Sequence, residues 1–340
     1  MEKLLLPCTT TALLMFILCA GPLYAAPADG CGKFFVVQHE RGPLEIEYCE
    51  YRPQKVEHLV LVVHGNGRQH TVNFESIKQA ARSAGKERST AVIAPRFPSQ
   101  EDLKSNSRRS TLLYWEPDVG WKAGHNSLAA PELLRKTRIS AFTVIDSLIT
   151  DILERPDYRG MNKVTIAGHS AGGQFVNRYA AGTRLAEQRS KSFHFVIANS
   201  SSYLYFNDLR PHQGSDTNFF KPSRRDCPKV NEYHYGLEDL NQYMRQVGPE
   251  NMKANYQRRQ VTILLGDKDT LRQPGLSTTC MAEAQGSNRF ERGVNYYHHI
   301  KNLFGNSISV RHKLIIVPGI GHDQDSMFRS KQALKVIFEE

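Results

Sequence analysis

The sequence predicts an α/β fold: a mostly parallel central sheet, helices on both faces and two inserted loops. Three observations carry that expectation. Apolar runs rich in β-branched residues, such as His58-Leu59-Val60-Leu61-Val62-Val63, read as strands buried on both faces. Segments with apolar residues at helical spacing alternate with these runs, as strand–helix–strand units require. The 340 residues are 40% hydrophobic and 23% charged, which excludes a disordered chain or a fibrous repeat.

Residues 1–25 stand apart from the fold. Lys3 gives a basic start, residues 11–20 (TALLMFILCA) form an apolar run, and Gly21-Pro22 ends it before Ala25 and Ala26. This is the layout of a secretory signal peptide, and the run is shorter than the roughly 20 residues of a spanning helix. Bulky Leu18 disfavours a lipid anchor on Cys19. The expectation is cleavage after Ala25, no stable membrane insertion, and residues 26–340 secreted to the periplasm or the medium as one domain. Cleavage leaves Cys31, Cys49, Cys227 and Cys280, an even set suited to two disulfides in an oxidising compartment. Cys31 and Cys49 flank alternating segments 34–39 and 44–48, separated by Arg41-Gly42-Pro43, which reads as a hairpin stapled at its ends. That pairs Cys31 with Cys49 and Cys227 with Cys280. Neither a Cys-x-x-Cys nor a His-Glu-x-x-His motif occurs, so no metal or other cofactor is expected.

Further strands are expected at residues 58–63, 90–94, 163–167, 193–198, 261–265 and 313–317. Helices are expected at 74–84, 137–153, 171–181 and 324–338. Two insertions, at about 96–132 and 200–260, break the alternation. Both follow strand C-terminal ends, where open α/β sheets bind ligands. Their aromatic residues Tyr114, Trp115, Trp121 and Tyr203 are expected to line a substrate cleft.

The chemistry concentrates at strand ends. Lys163-Val164-Thr165-Ile166-Ala167 leads into Gly168-His169-Ser170-Ala171-Gly172-Gly173, a strand, then Gly-x-Ser-x-Gly, then a helix. A turn tight enough to expose the Ser170 hydroxyl leaves no room for side chains two residues to either side, hence the glycines. A serine needs a base, and His322 follows the last strand on the glycine-rich loop Pro318-Gly319-Ile320-Gly321. The base needs an acid, and Gly266-Asp267-Lys268-Asp269 follows the preceding strand. Asp269 is read as the acid and Asp267 as a turn stabiliser. Asp323 and Asp325 are read as caps of the final helix. His169 is read as a structural neighbour of the nucleophile, and His298 and His299 as packing or surface residues. An oxyanion hole is expected from the Ala171 amide and one amide of His64-Gly65-Asn66-Gly67, with Asn66 first and Gly67 next.

These residues, in this order from about Val56 to Phe338, resemble the α/β-hydrolase superfamily. Gly-His-Ser-Ala-Gly-Gly is similar to the secreted polyhydroxybutyrate-depolymerase and feruloyl-esterase-like branch. The segments 199–205, 265–270 and 284–293 also resemble a group of secreted α/β-hydrolases of microbes and plants. The resemblance implies an eight-stranded core sheet, loops over the active site and a Ser170–His322–Asp269 triad. Gly-Asn-Gly follows His64 where some esterases have only glycines, which leaves open which amide completes the oxyanion hole.

The expected function is a secreted serine hydrolase of carboxylic esters, small or polymeric, acting as a monomer through an acyl-enzyme. A serine peptidase or polyester depolymerase on the same fold, and a catalytically silent binding module, are the alternatives. Lys and Arg number 44 against 34 Asp and Glu, giving a net charge of +10. No nucleic-acid motif accompanies this excess, so no nucleic-acid partner is expected. Arg108, Arg109, Arg224 and Arg225 read as a solvated basic face that an acidic surface or substrate can meet.

Overall fold

The computed structural model describes residues 28–38, 43–104, 106, 108, 110–129, 137–188, 191–212 and 218–339. The segment read as a signal peptide, and Arg109, lie outside the described residues.

Among the described residues there are ten strands: β1 (Ala28–Val37), β2 (Leu44–Arg52), β3 (His58–Val63), β4 (Thr90–Pro95), β5 (Lys163–His169), β6 (Ser192–Ala198), β7 (Arg210–Pro211), β8 (Phe219–Phe220), β9 (Gln260–Gly266) and β10 (His312–Val317). Eight form one sheet in the order β1-β2-β4-β3-β5-β6-β9-β10, and β7 pairs with β8 apart from it. The β1–β2 and β2–β4 pairings are antiparallel, and every pairing from β4 to β10 is parallel. The main helices are α1 (His70–Ser83), α2 (Ala141–Glu154) and α3 (Ala171–Gly182). Short α4 (Leu185–Gln188) and α5 (Gln242–Val247) precede α6 (Pro249–Arg258), and α7 (Cys280–Glu283) precedes α8 (Arg289–Phe304).

Why the sheet is buried on both faces is visible in β3. Leu59, Leu61 and Val63 join a core with α2 and α3, while Val60 and Val62 join a second core with Phe74 and Ile77 of α1. Side chains alternate along a strand, so a run of six apolar or aromatic residues serves two layers at once. The first disulfide, Cys31–Cys49, ties β1 to β2, and the second joins Cys227 to Cys280.

Several helices depart from the sequence expectation, among them α2, which begins at Ala141 and not at residue 137. α1 begins at His70 because His70, Asn73 and Ser76 are buried beside Phe74 and Ile77. Polar residues on the buried face hide the helical stripe. The single closing helix expected at 324–338 is broken into α9 (Gln324–Arg329), α10 (Lys331–Leu334) and a π-helical turn, Lys335–Glu339. Ser330 leaves helical geometry at φ −64° and ψ 148°, and its hydroxyl caps the next turn by accepting from Ala333 N at 3.1 Å.

Candidate active site

The parallel strands end together. Val63 pairs with Gly168, His169 with Ala198, Ala198 with Leu264, and Gly266 with Val317. The loops after β3, β5, β6, β9 and β10 therefore meet at one sheet edge.

Ser170 sits at the β5–α3 turn with φ 57° and ψ −117°, a conformation that L side chains rarely adopt. Close packing enforces it. A Cβ on Gly168 would lie 2.3 Å from Gly172 C, and one on Gly172 would lie 2.1 Å from Val63 O. The strained turn points Ser170 Oγ at His322, whose Nε2 lies 3.0 Å away. His322 Nδ1 lies 2.7 Å from Asp269 Oδ2. A carboxylate can only accept, so Nδ1 donates to Asp269 and Nε2 is the nitrogen that faces the serine hydroxyl.

The loops after β9 and β10 are stitched to each other. Lys268 N donates to Ile320 O at 2.9 Å, and Gly319 N donates to Asp267 Oδ1 at 2.7 Å. Asp267 thus serves the turn, while Asp269 faces the histidine. Asp323 accepts from Ser326 N at 2.7 Å as the cap of α9, and Asp325 pairs with Arg329. Gly65 lies beside the serine, since a Cβ there would be 4.0 Å from Ser170 Cβ. Ala171, in the first turn of α3, has no intrahelical acceptor for its N–H.

Comparison with protein-family models and with curated proteins finds no match. Among solved structures, the chain is similar to poly(aspartic acid) hydrolase-1 from Sphingomonas sp. KT-1, with 23% identity and a TM-score of 0.59. That match covers 91% of this chain and 99% of the other. It is also similar to a poly(3-hydroxybutyrate) depolymerase from Bordetella parapertussis, at 20% identity and TM-score 0.59, over 92% of this chain and 91% of that one. The chain has the α/β-hydrolase fold.

Within this hydrolase fold, His64 holds the loop after β3. Its Nε2 accepts from Phe97 N at 3.0 Å, so Nδ1 carries the proton and donates to Gly65 O at 2.8 Å. Burial pushes this imidazole down to about 3. Asn66, the expected oxyanion donor, is exposed, and its Oδ1 accepts from Lys122 Nζ at 3.2 Å. His169 is buried, with its ring centroid 4.7 Å from that of His322, and burial pushes its pKa well below the usual range. It packs against the His322 ring. His299 is buried in α8 and accepts from Phe206 N at 3.2 Å, a packing role.

The aromatic residues expected to line a cleft do not do so. Trp115, Trp121 and Tyr203 are fully buried. Trp115 Nε1 donates to His125 O at 3.1 Å. Trp121 stacks on Phe97 at 5.5 Å and meets the His64 ring edge at 4.6 Å. Tyr203 stacks on Tyr296 at 4.5 Å. The large apolar area of these rings favours the core over the mouth of the site. Trp121 shapes the site from behind, by packing on the histidine that holds the Asn66 loop.

Two contributors escaped the sequence reading. The Asn199 side chain accepts from Gly266 N at 2.9 Å and donates to Gly321 O at 3.0 Å. One buried amide thus ties the loop of Asp269 to the loop of His322. Arg289, at the start of α8, brings its Nη1 to 3.7 Å from Asp269 Oδ1 in a buried ion pair. Asn199 stands in the segment 199–205 that carried the resemblance, and Arg289 in 284–293, but nothing local in either marks its partner.

Among the described residues, no cluster of three His, Cys, Asp or Glu side chains suits a metal ion. No described helix is long and apolar enough to cross a membrane. A cavity of about 620 Å³ lined by Asp146, Glu154, Arg184 and Tyr243 includes none of the residues around Ser170.

Proposed function

We propose that the chain is a secreted serine hydrolase that cleaves carboxylic esters through an acyl-enzyme. The observation that carries this reading is the unbroken chain from Ser170 Oγ to His322 Nε2 at 3.0 Å and from His322 Nδ1 to Asp269 Oδ2 at 2.7 Å. His322 takes the serine proton as Oγ attacks the carbonyl carbon. The Asn66 and Ala171 amides hold the oxyanion. His322 then protonates the departing alcohol, activates a water, and the ester bond to Ser170 is hydrolysed. Asp269 keeps the ring oriented and stabilises the imidazolium. The likeness to a polymer hydrolase and a depolymerase supports hydrolysis as the reaction class, and the two disulfides suit an extracellular protein.

Amide cleavage is the second reading, favoured by the likeness to a poly(aspartic acid) hydrolase, whose polymer is joined by amide bonds. The deciding experiment compares wild type with Ser170→Ala on nitrophenyl esters of graded acyl length, a polyester film and peptide amides. Ester turnover that falls by about 10⁴-fold or more in the variant is expected. Turnover of amides without esters would transfer the proposal to a peptidase, and equal rates in both proteins would end it.

A further inference from the structure

Lys122 projects from the first insertion to the loop after β3, where its Nζ donates to Asn66 Oδ1 at 3.2 Å. The side chain is half-buried and forms no salt bridge with a described carboxylate. Behind it lies the fully buried guanidinium of Arg178, whose partners are also neutral. They are His234 O at 3.1 Å, Lys122 O at 3.4 Å, Gln174 Oε1 at 3.3 Å and Ser202 Oγ at 3.0 Å.

The charged neighbours do not cancel this pair. Glu116 spends its carboxylate on the amides of Asp118, Val119 and Gly120, and Arg68 pairs with Asp102. Burial, then repulsion from Arg178, pushes the Lys122 ammonium down to about 8, against weaker attraction from Asp118 and Glu116. Burial likewise lowers the His125 and His234 imidazoles, so neither adds charge at neutral pH. A half-desolvated cation without a counter-ion is costly unless an anion comes to it. Gln174, one turn beyond Ser170 on α3, touches both Arg178 and Ser202, so one side chain links the guanidinium to the helix that Ser170 opens.

We infer that Lys122 is a substrate-recognition residue and that the natural ester carries a carboxylate, which Lys122 binds beside the Asn66 loop. The inference rests on the serine-hydrolase reading above and adds the chemical class of the substrate. The carboxylate accepts from Nζ, and Asn66 Oδ1 shares the same ammonium, so binding the acid end of the substrate also steadies the loop that holds the oxyanion. Arg178 reinforces the positive field from below without touching the substrate.

The test compares two matched pairs of esters. In the first the acid is on the acyl chain, para-nitrophenyl hemisuccinate against para-nitrophenyl butyrate. In the second it is on the alcohol, para-carboxyphenyl acetate against phenyl acetate. The readout is the ratio of kcat/KM for acid over neutral ester, taken on one preparation so that any partial loss of folded protein cancels. In at least one pair this ratio falls by about tenfold or more in Lys122→Met and is largely restored in Lys122→Arg. A ratio that Lys122→Met leaves unmoved in both pairs, with the neutral esters still turned over by wild type, overturns this inference alone. A wild type inert on all four esters overturns the ester-hydrolase reading and this inference with it.

Discussion

Asp269 is buried, and its two oxygens are divided between His322 at 2.7 Å and Arg289 at 3.7 Å. In the proposed mechanism one oxygen fixes the imidazole tautomer, while the guanidinium balances the buried charge. Asp269→Asn keeps the shape but presents an amide donor to Nδ1, and turnover of the best ester falls by about 10⁴-fold. Asp267→Asn retains an oxygen for Gly319 N and leaves turnover within about threefold. Steady-state kinetics on both variants decide between the two aspartates, and the reverse pattern would move the acid to Asp267. At this scale the meeting of Ser170, Asp269 and His322 at one sheet edge was legible because each follows a strand. Arg289 and Asn199 were not, because their partners are distant in sequence and leave no local periodicity. The tryptophans misled for a different reason: composition places an aromatic residue in a region, but burial decides which way it faces.

The β5–α3 elbow shows how an element fixes a reactive geometry. Gly172 fills the space a Gly168 side chain would need, and Gly172 itself rests on the carbonyl of Val63. Gly172→Ala therefore forces backbone apart in the centre of the sheet. It is expected to destabilise the protein by about 3 kcal/mol and to depress reaction at Ser170 in the fraction that folds. Urea unfolding followed by circular dichroism checks this, and an unchanged midpoint would contradict the packing account. Strand positions were legible because apolar β-branched runs mark them. Helix ends were less so, since the start of α1 lies among buried polar residues and the break after α9 depends on one serine.

Across the whole molecule, the eight-stranded sheet gathers five loops at one edge, and buried neutral histidines help hold that arrangement. Burial pushes His58, His64 and His299 from the ordinary 6.5 down to about 3. The unfolded chain takes up these protons below about 6.5 and the folded chain only near 3. Their contribution is therefore fully present above 6.5 and is lost as the pH falls, at about 1.4 kcal/mol per histidine per pH unit. Asp146 acts in the opposite sense, since burial raises its pKa, but it is one group against three. The urea midpoint is expected to drop between pH 7.5 and pH 5, and a flat profile would contradict the neutral assignment of these rings. The sheet and its order of elements follow from alternation in the sequence. The net charge of +10 foretold nothing of the chemistry, yet one cation in the first insertion, Lys122, stands beside the site. Every step of the proposed reaction requires Ser170 to be a nucleophile that His322 activates. Intact-protein mass spectrometry after exposure to a fluorophosphonate probe tests this directly. One probe adduct on wild type, mapped to Ser170 and absent from Ser170→Ala, is the predicted result. No adduct on the folded wild type, or equal labelling of both proteins, would contradict it.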